Sequence, residues 1–340
     1  MHPLSATLRL RAVSIIILLV LLSLASLVAA GMIGSVSIPL ADMPGALREF
    51  ISGQPASLPG HLLDLRLERA ATAFVTGASL SLAGVMMQAL LRNPLADPYV
   101  LGISSGASVG ALAALLFMCA AWMVDAASFA GAVVISMMLY LLARRDLRGG
   151  TAAEGGTALL LLTGVILSSA CIALVTLMLS VAPESRLRTM VFWLIGDLAG
   201  SPLRWLPWLV LAGGLAFALR AARSLNVMAL HAEAAATLGI HVSALRKGLF
   251  FCSGLLTASA VTTAGSIGFV GLIVPHACRF AFGPDHRLLV PSAALAGGAY
   301  LVLADTVART VIAPQQLPAG VVTALVGTPV FLYQLHRLRK

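Results

Sequence analysis

Long uninterrupted apolar runs, rather than strand alternation or a one-sided helical stripe, dominate the chain. Residues 12–30 carry no charge, and comparable runs recur almost to the end. About 20 mainly apolar residues cross a bilayer as a helix. On that measure ten spans are predicted, at 10–31, 66–91, 99–121, 126–143, 157–181, 205–222, 248–265, 268–282, 288–312 and 318–335. The eighth is short, broken by Pro275 and nearly continuous with the seventh, so nine is the alternative count. The fold class is therefore an all-α polytopic membrane protein. The first run could be read as a signal peptide, but a signal core spans about 7–15 residues. This one is longer, and it is read as a retained span.

The polar positions between the runs set the orientation. Of the 22 Lys and Arg, 15 fall at one set of loops and span ends and 7 at the other when both termini are placed in the cytoplasm. Basic residues favour the cytoplasmic side. Residues 32–65 and 182–204 then form outer loops, with a short interfacial helix possible over 187–195, and 223–247 is the longest inner loop. The alanine run 232–236 favours helix there.

Composition sharpens this picture. The chain is 59% hydrophobic and 10% charged, where a soluble domain has about 25% charged residues. The net charge of +9 does not indicate nucleic acid, because no basic stripe is interleaved with aromatics. The four cysteines form no C-x-x-C pair and read as small buried hydrophobes. Ala73, Gly77 and Ser81 share one face of the second span, where small residues permit close helix approach. Gly84, Pro94 and Gly102 recur 181 residues later as Gly265, Pro275 and Gly283, a slight echo of the kind an inverted internal repeat leaves.

Several chemistries are missing. No G-x-x-x-x-G-K-[ST] loop occurs, so ATP is not bound in that way. Gly265, Gly268 and Gly271 imitate a dinucleotide loop but lie between apolar spans. No clustered metal ligands occur, and His276 reads as a satisfied polar residue. An ion-coupled carrier keeps ionisable groups near the midplane. Apart from Asp305 and Arg309, four apart on the ninth span, there is no such relay, and no cluster of carboxylates or histidines suggests an integral membrane enzyme. A chain that moves something without an energy source of its own implies a partner.

Three stretches carry a resemblance. Residues 65–107 contain LRLER, GASLSLAGVMMQ and RNPLADPYVLGISSGA; residues 265–287 contain GSIGFVGLIVPHACR and FGPDHR; the tail holds ADTVAR and LPAGVVTALVGTPVF. Together they closely resemble the FecCD-type permeases of ABC importers, which take up ferric siderophores, haem or cobalamin. The resemblance implies a type II importer permease with an inverted repeat, in a bacterial inner membrane. It also implies two copies forming a path at their interface, two separate ATP-binding cassette subunits using ATP and Mg, a periplasmic binding protein, and no cofactor on this chain.

It assigns residues as well. Glu233, Ala234, Ala235 and Gly239 match the coupling element that meets the ATPase. Arg66, Arg69 and Arg309 match arginines that receive carboxylates of the binding protein, a task suited to the guanidinium fork. Arg309 could instead pair with Asp305. The family has proline between the first two arginines, where this chain has Glu68, an acid able to pair with Arg69. Thr157 matches the small polar residue of the cytoplasmic gate. Asn93, Pro94, Gly268, Pro275 and His276 belong to motif positions read as structural; proline ends a helix and restricts the residue before it.

Overall fold

The computed structural model describes residues 6–148, 154–198, 204–230 and 232–338. Every regular element among them is helical. In chain order these are α1 (Ala6–Met32), α2 (Met43–Ser52), α3 (Leu58–Leu91), α4 (Ile103–Leu116), α5 (Ala121–Arg148), α6 (Glu154–Val181), α7 (Glu184–Ile195), α8 (Trp205–Leu230), α9 (Ala232–Thr237), α10 (Val242–Ala264), α11 (Val270–Phe282), α12 (His286–Thr310) and α13 (Ala319–Leu338). Among the described residues six are long and apolar enough to cross a membrane: α1, α3, α5, α6, α8 and α12. Three shorter apolar helices, α4, α11 and α13, accompany them. α10 has the length, but Lys247 and a run of hydroxyl residues lower its hydropathy.

Three of those hydroxyls are satisfied within the helix, and Thr262 pairs with Ser128 of α5 at 3.3 Å. Ser253 donates to the Phe250 carbonyl at 3.1 Å, Thr257 to Ser253 at 2.8 Å and Thr263 to Ser259 at 2.8 Å. Bonding back to the preceding turn lets a small polar side chain sit in a dry core without an orphaned donor. α10 is accordingly a core helix.

The same sorting governs the whole bundle. In α3, 89% of the most apolar stretch is buried against protein, whereas the figures are 17% for α1 and 22% for α6. The buried stretch of α3 from Ala70 onward is rich in Ala, Gly, Ser and Thr, whereas α1 and α6 are rich in Leu, Ile and Val. Lipid is as apolar as leucine, so large side chains gain nothing by leaving it, and small ones are what allow backbones to meet. Gly77 shows how close they come. A Cβ there would overlap the Gly297 carbonyl of α12, and one on Gly297 would overlap Ser81. The Ala73–Gly77–Ser81 face is thus the α3–α12 seam.

Several spans differ from the sequence reading: α3 starts at Leu58 rather than at 66, α5 at Ala121 rather than at 126, and α8 runs on to Leu230 rather than ending at 222. Pro275 does not break its helix; α11 runs through it from Val270 to Phe282. The break falls earlier, at 265–269, which separates α10 from α11. The third span enters through a short 3-10 turn at Pro98–Leu101, capped by Asp97, before α4 begins.

Between α1 and α3 the chain is ordered by one carboxylate. Glu49 accepts the amide of Ala56 at 2.9 Å, the amide of Ser57 at 3.0 Å and the Ser57 hydroxyl at 3.0 Å, and Ser57 in turn caps α3. The backbone amides of Ser57 and Ala56 hold the Glu49 carboxyl below its ordinary value of 4.5.

Two measurements test this packing. Gly77→Val, which drives a side chain into backbone that cannot move aside, is expected to destabilise the protein by at least about 1–3 kcal/mol; Gly213→Ala, facing open space, is the control. A detergent-solubilised thermal midpoint that leaves the two variants level would refute the close seam. A lowered carboxylate pKa gives stability that is present above the unfolded value and lost as pH falls through the folded one. Protection of the amides at 54–60 against exchange, relative to a free chain at the same pH, is therefore expected to fall below pH 4.5 and to be low at neutral pH in Glu49→Gln.

Candidate functional site

Charged side chains concentrate at the two ends of the bundle. At the end where α3 begins and α12 finishes, two arginines meet one buried acid and a third lies near by. Arg69 of α3 reaches Asp305 of α12 through Nε at 3.0 Å to both oxygens and through Nη2 at 2.8 Å. Its Nη1 donates to Gln316 Oε1 at 3.0 Å, and its Nη2 lies 3.8 Å from Asp197 Oδ1. Arg309, one turn beyond Asp305, places Nε 3.1 Å from Asp305 Oδ2, an ion contact without hydrogen-bond alignment. Its Nη2 donates to the Ala30 carbonyl at 3.4 Å and to Thr306 Oγ1 at 3.3 Å.

Arg66 stands apart from the acid. It is 6% exposed, and its guanidinium donates to the carbonyls of Gly31 and Met32 at 3.2 Å and to that of Val36. It therefore ties the end of α1 to the start of α3. The Asp305 side chain is 1% exposed and that of Arg69 12%. A carboxylate this dry is tolerated because it is paired and hydrogen-bonded.

Arg69 thus finds its acid in Asp305, not in the adjacent Glu68, and Arg309 does meet Asp305. Asp197 and Gln316 are members that sequence reasoning missed. Asp197 was a lone acid in a loop, and nothing in its neighbours pointed to residue 69.

A cavity of about 800 Å³ opens beside this cluster. α7 supplies Arg188, Phe192 and Trp193, α5 supplies Asp125, and Arg204 and Asp197 close it. Arg204 pairs with Asp125, and the Arg188 guanidinium lies 5.4 Å above the Phe192 ring. Acids, bases and an aromatic wall face a single space.

At the opposite end α8 leads into α9, six residues long. Gly239 follows with φ +81°, a conformation L side chains rarely adopt. Its amide donates to the Ala236 carbonyl and that of Ile240 to Ala235, both at 3.0 Å, which closes the helix. Ala235 is buried. The side chains of Glu233, Ala234 and Thr157 lie outside the described residues; the backbone places the first two in α9 and the last near the start of α6.

Asn226 of α8 joins this element to α12. Its amide donates to Asp285 Oδ1 at 2.7 Å and its oxygen accepts the His286 amide at 2.9 Å. Arg279 donates to Gln88 Oε1 at 2.9 Å, bridging α11 and α3. Asn93 accepts the Leu95 amide at 2.9 Å in the turn that Pro94 continues. Gly268 faces open space. His276 differs from its reading, for its Nδ1 is buried without a hydrogen-bond partner. Among the described residues no group of three His, Cys, Asp or Glu is placed to hold a metal.

Comparison with known proteins now gives this architecture its class. The model of the FecCD transport family matches residues 15–337. The cobalamin import system permease protein BtuC of Halobacterium salinarum is 44% identical over 279 residues, covering 80% of this chain and 72% of that protein. The vitamin B12 import system permease protein BtuC of Escherichia coli is 39% identical over 281 residues, covering 81% and 83%. A solved transporter, described as of metal-chelate ABC type in an inward-facing conformation, superposes with a TM-score of 0.82 at 30% identity, over 95% of this chain and 99% of that one. The PsaBC structure from Streptococcus pneumoniae, at TM-score 0.55 and 18% identity over 84% of this chain and 94% of that one, shares the fold. The molecule is a multi-pass permease subunit of an ABC importer, not an enzyme; ATP hydrolysis belongs to a separate subunit. The chain belongs to the FecCD transport family.

The buried acid is open to test. Asp305→Ala leaves two arginines without their carboxylate and is expected to cost about 3–5 kcal/mol, as when one partner of a buried pair is removed. Glu68→Gln, at a half-buried side chain that takes no part in the cluster, is expected to stay within about 0.5 kcal/mol of the parent. Equal thermal midpoints for the two would refute the central place of Asp305.

Proposed function

We propose that this chain imports cobalamin. The observation that carries the reading is its 44% and 39% identity to two cobalamin import permeases over four fifths of its length. Two copies form the path at their interface, and two ATP-binding cassette subunits that use ATP and Mg drive it by alternating access. A periplasmic binding protein delivers the substrate. The protein lies in the bacterial inner membrane with both termini in the cytoplasm, and this chain binds no cofactor of its own.

The α9 element, Glu233 to Gly239, meets the ATPase. A short helix closed by a left-handed glycine, joined through α8 and Asn226 to α12, transmits movement as a rigid body. Thr157 belongs to the gate at that side. The Arg66–Arg69–Arg309 cluster receives acidic residues of the binding protein at the other end. Arg69 is the best placed of the three, since its side chain keeps the most access and spare donors remain on its fork. The 800 Å³ cavity beside it is part of the outer mouth. A ferric chelate is the second reading, supported by the metal-chelate description of the superposing transporter.

Uptake of labelled cobalamin and labelled ferric chelate in a deletion strain and its complemented twin decides between them. Loss of cobalamin uptake alone is expected. Loss of ferric-chelate uptake alone would replace the substrate, and loss of neither would overturn the reading. In proteoliposomes, Gly239→Val is expected to lower transport per ATP hydrolysed or to lose the ATPase subunit. Normal coupled transport would remove α9 from the coupling role.

A further inference from the structure

The seam between α1 and α12 does not close along its whole length. On α1 the face turned to α12 carries Leu19, Ser23, Ser26 and Ala30, all buried, and Ser23 donates to the Leu295 carbonyl of α12 at 3.3 Å. The helical repeat continues that face through Ile16 and Ala12, which are only half-buried. There the two helices part around a groove of about 440 Å³. Phe282 at the end of α11 and Leu288 in the first turn of α12 form the facing wall, and Val13 and Ile17 of α1 stand exposed at its edge. Only 17% of the most apolar stretch of α1 is buried, so lipid reaches the groove from the side.

Two arginines border this apolar slot, Arg11 and Arg287, in the opening turns of α1 and α12. Arg11 makes no hydrogen bond or ion pair among the described residues. Arg287 has a side chain 49% exposed, with Nε 3.5 Å from Asp285 Oδ1 and its terminal nitrogens unbonded among the described residues. Asp285, the acid of the groove, is already engaged. Its Oδ1 accepts the Asn226 side-chain amide at 2.7 Å and the Arg287 backbone amide at 2.9 Å. Two guanidiniums against one engaged carboxylate leave this end of the groove positive.

We propose that the groove binds an anionic phospholipid, with its phosphate on Arg11 and Arg287 and an acyl chain laid between α1 and the Phe282–Leu288 wall. The guanidinium fork matches phosphate oxygens, and basic pockets between spanning helices on the cytoplasmic side take lipid headgroups. The cytoplasmic placement rests on the orientation proposed above. A soluble phosphate would leave the apolar wall uncovered, and a lipid without net charge would leave the positive end unneutralised. The bound lipid completes the α1–α12 seam at the turn that Asn226 ties to α8. It thereby braces the end of α12 nearest the coupling element.

The test uses the detergent-purified transporter, assembled with its ATPase subunits and titrated with phosphatidylglycerol or phosphatidylcholine, and counts retained lipid by native mass spectrometry. Preferential retention of a single phosphatidylglycerol per permease chain is expected. Arg11→Gln is expected to weaken it about fivefold, and Arg11→Gln with Arg287→Gln about 25-fold, one step for each arginine at a membrane surface. Phosphatidylcholine retention is expected to stay at the parent level in both. Because a ligand of the folded state stabilises it, phosphatidylglycerol is also expected to raise the thermal midpoint of the parent more than that of the double variant. Ala12→Phe keeps both charges and fills the groove, and is expected to lose the retained lipid. Equal affinity for the two lipids, or unchanged phosphatidylglycerol binding in the double variant or in Ala12→Phe, overturns the proposal. So does retention of neither lipid, as when another protein segment fills the groove. Glycerol 3-phosphate that displaces phosphatidylglycerol at equal concentration would assign the arginines to a soluble phosphate and overturn the lipid. Should the double variant fail to assemble, Arg11→Gln and Ala12→Phe decide by the same criteria. No transported substrate enters the measurement, so its result stands apart from the cobalamin reading.

Discussion

The contact between α3 and α12 is the constraint on which the remaining structure depends. Along its length Gly77 and Gly297 bring the two backbones together, and at its end Asp305 clamps Arg69. These are two solutions to one difficulty. Inside a bilayer there is no gain from hiding large apolar groups, so close backbone packing and paired polar groups must hold helices together. Once α3 is walled in by α12, α10 and α11, the Leu- and Ile-rich helices α1 and α6 are left facing outward.

The polar chemistry is divided between the ends of this core. At one end arginines, a dry carboxylate and a charged cavity lie together. At the other, Asn226, Asp285, His286, Arg279 and Gln88 join α8, α12, α11 and α3. α12 takes part in both groups, His286 at its first turn and Asp305 near its last. A rigid helix with a polar junction at each end is a direct physical link between the face proposed for the binding protein and the face proposed for the ATPase.

The arrangement also explains why so few charges suffice. The chain holds 13 acidic residues against 22 basic ones, so a single acid must serve several arginines. Asp305 serves two, and Arg66 turns to backbone carbonyls instead. Backbone carbonyls at a helix end are unsatisfied acceptors, and an arginine spends its donors there without needing a carboxylate.

The sequence alone determined the class of protein and the approximate places of its helices, because bilayer thickness imposes a length that apolar runs display directly. It also marked Arg66, Arg69, Asp305 and Arg309, through a motif and a four-residue spacing, and it marked the small-residue face of α3. It was silent on Asp197 and Gln316, since partners 128 and 247 residues away from Arg69 leave no periodic trace. It misplaced the break near Pro275, because proline's missing amide weakens a helix without ending it where neighbouring helices brace the backbone. Tertiary structure decided which carboxylate each arginine meets. A guanidinium on a long flexible stem has several acids within reach in sequence, and only packed helices determine which one lies within 3 Å.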